Sequence, residues 1–435
     1  MLTRRDMMAR SLGVGIATLG GIPYARARRR ERVTLRVLGT HVTLQEQIHR
    51  AAEADLGIDI VFSPGGSGSV LQQASTRPTS FDVYEQWSNS MNVLWRSGAI
   101  QPIDTSRIRQ WDAVNPLSKT GRLTPEAPIG RGDAPHTLLY IQPDGRLNQQ
   151  PTNQVSFLPY VHNADSFGYN TDVIPRGEAY KDESWGWLMD PRSHGRVALV
   201  NEPTIGLFDA ALAVQARGMM SFSDIGNMTR VEIDQLFDIL IDHKRDGHFA
   251  GFWSSVPESV KMMQSGRANI ESMFSPGAAT LQADHVPVRY AAPKEGYRAW
   301  HGVMCLSSAA SEEVTEAAYA YMNWWLSGKP GAIMARQGYY ISVPEAAKQF
   351  MTQDEWAFWY EGAPAVANIP GVDGRAIARP GDTRNGGSYL KRFSHVAVWN
   401  TVMSEYEHTL LRWGELLSTL PNKNFKRPPP REESA

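Results

Sequence analysis

The chain has 435 residues, with 44 Lys and Arg against 45 Asp and Glu and a formal net charge of −1. This balance excludes proteins that need a strongly basic face, such as nucleic-acid binders or proteins held electrostatically on an anionic membrane. The single cysteine, Cys305, excludes a disulfide framework, and its setting in Val303-Met304-Cys305-Leu306 reads as a small buried hydrophobe rather than a nucleophile.

The first residues have the order of an export signal. Arg4 and Arg5 form a charged head, residues 11–22 a mild apolar run, and Ala25-Arg26-Ala27 a small-x-small cut site. The arginine pair and the weak apolar run resemble a twin-arginine signal, which exports folded cargo. Residues 1–27 are therefore expected to be a signal peptide, placing the mature protein in the periplasm.

A strand and helix alternation follows. Strands are expected over residues 33–38, 58–62 and 81–84, and helices over 44–56, 70–74 and 91–96, with a short edge segment at 100–103. Such alternation predicts a parallel sheet with helices on both faces. Residues 104–153 are dense in Pro, Gly and Arg and read as a surface excursion. Strands resume over 155–161 and, separately, 166–170.

The stretch from Ser184 to Gly218 begins with an aromatic turn at Trp185 and Trp187 that ends in Asp190-Pro191. Val197 to Val200 form a continuous apolar run, as in a strand covered on both faces, and apolar residues from Ile205 to Val214 recur at helical spacing until Gly218. Ligands of open α/β sheets sit at such strand-to-helix junctions, which makes Asn201 and Glu202 candidate contacts. Further elements are expected over 231–244, 257–265 and 270–274, then a central-type strand at 303–306 and helices over 312–326, 330–337 and 396–417. Residues 371–387 read as a polar loop, and the Lys, Arg and Pro-rich residues 421–435 as a disordered tail.

The segments FDVYEQW with LWRSGAIQPID, VSFLPYV with SFGYNTDVI, SWGWLMDPRSHGRVALVNEP, VKMMQSGRANIESMFSPGAA and APKEGYRAWHGVMCLSSAASEEVTEAAYAYMNWWLSGKPGAIMARQGYYISVP are similar, in this order, to extracellular solute-binding proteins of ABC importers. They resemble most the group with the spermidine and putrescine receptors. The resemblance implies a two-lobed periplasmic-binding-protein-like α/β fold, each lobe a mostly parallel sheet flanked by helices, closing at a hinge over a ligand. It divides the chain into a discontinuous lobe 1, residues 33–160 and 298–420, and a lobe 2, residues 161–297. It also implies a monomer that hands a small solute to a permease at the inner membrane, without catalysis and without a cofactor.

Carried over by position, the family's ligand contacts fall on Thr40, His41, Trp87, Glu202, Phe274, Trp300 and the Tyr339-Tyr340 pair, with Tyr340 the chosen member. Polyamine receptors hold ammonium groups with carboxylates and stack methylenes on aromatic faces. Here Ile205 and Gly302 stand where two of those carboxylates belong, so a doubly charged amine would keep an unpaired end. The Gly-rich run from Ser63 to Ser69 adds Ser67 and Gly68 as candidates, because a helix N-terminus with free N–H groups favours a carboxylate or phosphate.

Trp185, Trp187, Trp324 and Trp325 read as packing, and Tyr339-Tyr340 as packing or hinge rather than iron ligands. His41 reads as a hydrogen-bonding wall, since no second ligand lies at metal-site spacing. No nucleophile elbow, zinc-protease motif or cofactor fingerprint is present, which leaves an exported hydrolase, or a bilobed receptor feeding a sensor, as the alternatives.

Overall fold

The computed structural model describes residues 32–422. The expected signal peptide lies outside them, as do residues 423–435 of the expected tail. Within the described part Asn422 still donates its backbone N–H to Arg245 O at 2.7 Å.

Three strands, β1 (Thr34–Thr40), β2 (Asp59–Gly65) and β3 (Val83–Trp87), pair in parallel in the order β2-β1-β3. Helices α1 (Glu46–Leu56) and α2 (Ser67–Thr76) connect them, as the alternation predicts. The chain then makes β4 (Leu158–Asn170), β5 (Val197–Val200), β6 (Phe249–Trp253), β7 (Ile270–Met273), β8 (Val288–Tyr290), β9 (Tyr297–Ser307), β10 (Tyr340–Ile341) and β11 (Val396–Trp399). The main sheet runs β6-β5-β7-β4-β9-β3-β1-β2, with β8 and β10 paired to β4 and β11 to β9.

The long strands β4 and β9 tie two halves of this sheet together. Residues 158–165 of β4 pair antiparallel with β9, and residues 166–170 with β7 and β8. The neighbour change therefore falls between Asp165 and Ser166. The sequence pattern predicts two strands here, interrupted at the polar His162, Asn163 and Asp165. The strand is continuous because each is fully buried yet partnered: His162 Nε2 meets the Tyr389 hydroxyl at 2.8 Å, and Asn163 donates to Asp165 at 2.8 Å. These internal partners lower the cost that made the positions look like loop, although His162 Nδ1 and Asn163 Oδ1 stay unpaired.

Two other expectations change. Residues 104–153, expected as a surface excursion, carry structure of their own: Tyr140–Ile141 and Leu147–Asn148 join Ile103–Asp104 and Gln154–Val155 in a small antiparallel sheet. Asn115 donates to the Tyr389 hydroxyl at 2.9 Å, and Ser118 Oγ meets His301 Nε2 at 2.8 Å. Residues 396–417 are a strand followed by a helix (Tyr406–Ser418), because Val396-Ala397-Val398-Trp399 extends beside β9.

Apolar side chains gather in three cores. One surrounds β1 to β3 and helix Glu312–Leu326, and a second surrounds β5 with helices Gly206–Ala216 and Arg230–Arg245. The third is largely aromatic and is built by Trp356, Trp359, Tyr360, Tyr389, Phe393 and Trp399 around Tyr297 and Tyr340. Trp185 and Trp325 are fully buried, consistent with packing. Among the described residues no helix is long and apolar enough to cross a membrane.

Candidate ligand-binding site

The C-terminal ends of β1 and β3 and the middle of β9 converge where β4 crosses the sheet. There Thr40, Trp87 and Trp300 lie around one narrow gap, closed too tightly in this structure to admit a water molecule, shared with Gln86, Tyr160 and Gly302. Three of the residues singled out in the sequence are thus neighbours, delivered by three different strands. Beneath them Glu85 is fully buried and accepts from Thr43 (2.6 Å), Tyr321 (2.7 Å) and Tyr160 (3.0 Å). Burial pushes its carboxyl up, and the three hydroxyl donors act against that shift. With these partners Glu85 braces the wall.

Trp300 is held rather than loose. Its indole N–H donates to Asp165 Oδ2 at 2.8 Å, and the Tyr339 ring meets it edge-on at 5.4 Å between centroids. Asp165 also accepts from Asn163 and, at 3.1 Å, from the Tyr290 hydroxyl. Arg298, two residues before Trp300, donates to Asp209 at 2.6 Å and to Asn400 at 3.1 Å, and lies 3.7 Å from Asp165. Arg298, Asp165 and Asp209 are all fully buried. Burial alone would lower the Arg298 pKa, but Asp209 and Asp165 together raise it, while burial lifts Asp209 to about 6 against the pull of Arg298.

Glu202 stands across from α2. Its carboxylate accepts from Thr204 N (3.0 Å) and Thr204 Oγ1 (2.5 Å), and Ser67 Oγ, at the N-terminus of α2, reaches it at 3.5 Å. Ser67 is fixed in turn by its carbonyl, which accepts from Gln86 Nε2 at 2.8 Å. Ser67 and Glu202 thus span the gap between the β1–β3 half and the β5 half of the sheet, and the α2 N-terminus already faces a carboxylate of the protein itself. Burial pushes the Glu202 carboxyl up to about 7 against the Thr204 bonds.

This shift has a sign. A carboxyl whose folded pKa lies above its ordinary value keeps its proton in the folded state where the unfolded chain has released it, so stability falls as pH rises. Glu202 should contribute such a loss between its ordinary 4.5 and about 7. Chemical denaturation at several pH values should therefore show a smaller decline in Glu202→Gln than in the wild type. Parallel profiles would contradict the shift.

The other candidates lie elsewhere. Asn201 is absorbed by the frame: its side chain donates to Ser254 at 3.1 Å and accepts from Trp413 at 3.0 Å. Phe274 packs edge-on against Trp253 at 5.1 Å with the Arg298 guanidinium 5.8 Å from its ring centre. His41 is exposed on its turn, and Gly68 is exposed in the first turn of α2. Tyr340 is fully buried in the aromatic core against Tyr389, at 4.4 Å, so its neighbour Tyr339 is the member of the pair beside Trp300.

The two positions that depart from the polyamine pattern acquire physical reasons. Ile205 is 1 % exposed and belongs to the core. A Cβ at Gly302 would lie 2.5 Å from Val161 Cγ1 and 3.1 Å from Val161 O, so no acidic side chain fits there. Gly302→Ala should cost about 1–3 kcal/mol through overpacking, read as a lower denaturation midpoint; an unchanged midpoint would show that Val161 yields freely.

Asp165, Arg298, Asp209 and Tyr290 escaped the sequence reading. For Asp165, Arg298 and Asp209 the signal was a charge inside an apolar element, as with Asp209 within Leu207-Phe208-Asp209-Ala210-Ala211, where burial demands a partner.

Comparison with known proteins adds the context. The sequence profile described as bacterial extracellular solute-binding protein matches residues 47–362, more than half of the chain. No curated protein matches by sequence. Among solved structures, the PotD lipoprotein of Treponema pallidum is 14% identical with TM-score 0.61, covering 88% of this chain and 99% of its own. The spermidine/putrescine ABC transporter substrate-binding protein PotD of Streptococcus pneumoniae is 13% identical with TM-score 0.55, covering 88% and 99%. The agropinic acid complex of a binding protein from A. tumefacien R10 is 16% identical with TM-score 0.51, covering 74% and 86%. At these identities the likeness is one of fold: an α/β, two-lobed, periplasmic-binding-protein-like architecture.

Proposed function

Because this chain belongs to the bacterial extracellular solute-binding proteins, we propose that it captures a small solute between its lobes, at the pocket of Thr40, Trp87 and Trp300, and delivers it as a monomer to an ABC permease. The observation that carries this reading is the convergence of Thr40, Trp87 and Trp300 on one pocket beside the crossing strands, with Ser67 and Glu202 bridging nearby. Of the expected lobes, residues 33–160 with 298–420 and residues 161–297, the boundary falls nearer the point where β4 changes neighbours between Asp165 and Ser166, and helix Tyr406–Ser418 packs Trp413 and Leu416 into the core around β5, on the side of the second lobe. Closure over the ligand selects the state a transporter recognises, without chemistry on the solute. Export rests on the arginine-paired signal of residues 1–27.

The ligand is not a classical polyamine. Glu202 faces the cleft, Gly302 has no space for an acid, and Ile205 is core, so a second ammonium group would be desolvated without a partner. Once the lobes open this closed gap, the body of a compact solute would lie between Trp87 and Trp300 with one polar end at Ser67 and Glu202. The expected affinity of the α2 N-terminus for a carboxylate or phosphate is opposed here by Glu202 itself. A thermal-shift panel of amines, amino acids and organic acids tests the reading, since ligand raises the melting temperature according to occupancy. Compact solutes should stabilise the protein and spermidine should not; strong stabilisation by spermidine alone would overturn it.

A further inference from the structure

A second cavity lies away from this pocket, between β8 with helix Ser275–Ala283 on one side and residues 358–385 on the other. Its volume is about 460 Å³, within the range of about 300–1,000 Å³ typical of small-molecule sites. Of the residues on the second side, those after 362 lie beyond the span matched by the family profile.

The lining is strongly cationic. Arg176, Arg289, Arg379 and Arg384 are among the lining residues, and Asp382 is the single carboxylate there. Only Arg289 is neutralised, by the fully buried Glu183 at 2.8 Å, and it also donates to Asn385 at 2.7 Å. Arg384 is half-buried and points its donors at neutral oxygens: the Tyr340 hydroxyl, Gly338 O at 2.9 Å and Trp359 O at 3.3 Å. Arg379 contacts the His285 ring, and Asp382 accepts from the backbone N–H of Arg379 rather than from its guanidinium. Arg176 forms no ion pair among the described residues. Three arginines with no carboxylate partner thus line one cavity, while Phe358, Trp359 and Ile377 supply apolar wall.

We propose that this cavity is a binding site for a small oxyanion, a carboxylate- or phosphate-bearing molecule held by Arg176, Arg379 and Arg384. Planar guanidinium forks match both groups in bidentate geometry, and concentrated like charge around a partly enclosed space is relieved by a bound anion. The site is separate from the pocket at Trp300 and does not depend on what that pocket binds. Tyr290 lies between them: it lines the cavity and donates to Asp165, the residue that holds Trp300.

Calorimetric titration of the full exported chain with citrate, and separately with inorganic phosphate, tests the assignment. Saturable binding of at least one is expected, with affinity falling about tenfold or more in the Arg176→Ala/Arg379→Ala double variant, as the loss of charge-assisted bonds implies. Both arginines are exposed, so the double variant should fold, which circular dichroism verifies. Trp300→Ala should leave this binding intact. Citrate binding alone identifies a carboxylate site and phosphate binding alone a phosphate site. Absence of binding by both anions, equal affinity in the double variant, or loss of binding in Trp300→Ala would each overturn the proposal.

Discussion

Arg298→Ala is expected to lower the unfolding free energy by about 3–5 kcal/mol, because removing one partner of a buried ion pair leaves an uncompensated charge. The guanidinium lies between Asp209, 2.6 Å away, and Asp165, 3.7 Å away, and all three residues are excluded from solvent. Without it both carboxyls must take up protons or draw in water. The loss should appear as a lower denaturation midpoint with an unchanged dependence on denaturant, the signature of a change in stability rather than in the extent of unfolding. A loss below about 1 kcal/mol, the average for point mutants, would mean that the cluster does not support the hinge strands.

Trp300→Ala should weaken solute binding by roughly 30-fold or more, in line with the truncation of a central aromatic anchor. Trp300→Phe separates two contributions, since it keeps an aromatic face but cannot donate to Asp165. Its affinity should fall between wild type and Trp300→Ala. Calorimetry with the solute found by thermal shift measures all three proteins, and equal affinities would remove Trp300 from the site.

The fold was largely legible because alternating strands and helices announce themselves by period, and β1 to β3 with their helices follow the pattern closely. Where reading failed, burial had overridden polarity. His162, Asn163 and Asp165 look like a loop until Tyr389 is seen to bond His162 and Trp300 to bond Asp165, and those partners are distant in sequence. The same long-range partnering hid the packing of residues 104–153, where Asn115 and Ser118 meet Tyr389 and His301. The stretch 396–417 was misread because a four-residue apolar strand and an amphipathic helix adjoin with little between them.

For the site, Thr40 and Trp87 at strand ends and Trp300 within β9 could be placed by position, and the three meet. Asn201 could not be told from Glu202, since its involvement with Ser254 and Trp413 is a tertiary fact. The second cavity was invisible in sequence. Arg176, Arg379 and Arg384 are spread over more than two hundred residues and meet only through the packing of residues 358–385 against β8.

Mass spectrometry of small molecules released from natively exported protein, comparing wild type with the Trp300→Ala/Glu202→Ala double variant, tests the solute-capture reading most directly. A compact solute should accompany the wild type and be missing from the folded double variant. The same solute at the same ratio in both would contradict capture at this cleft.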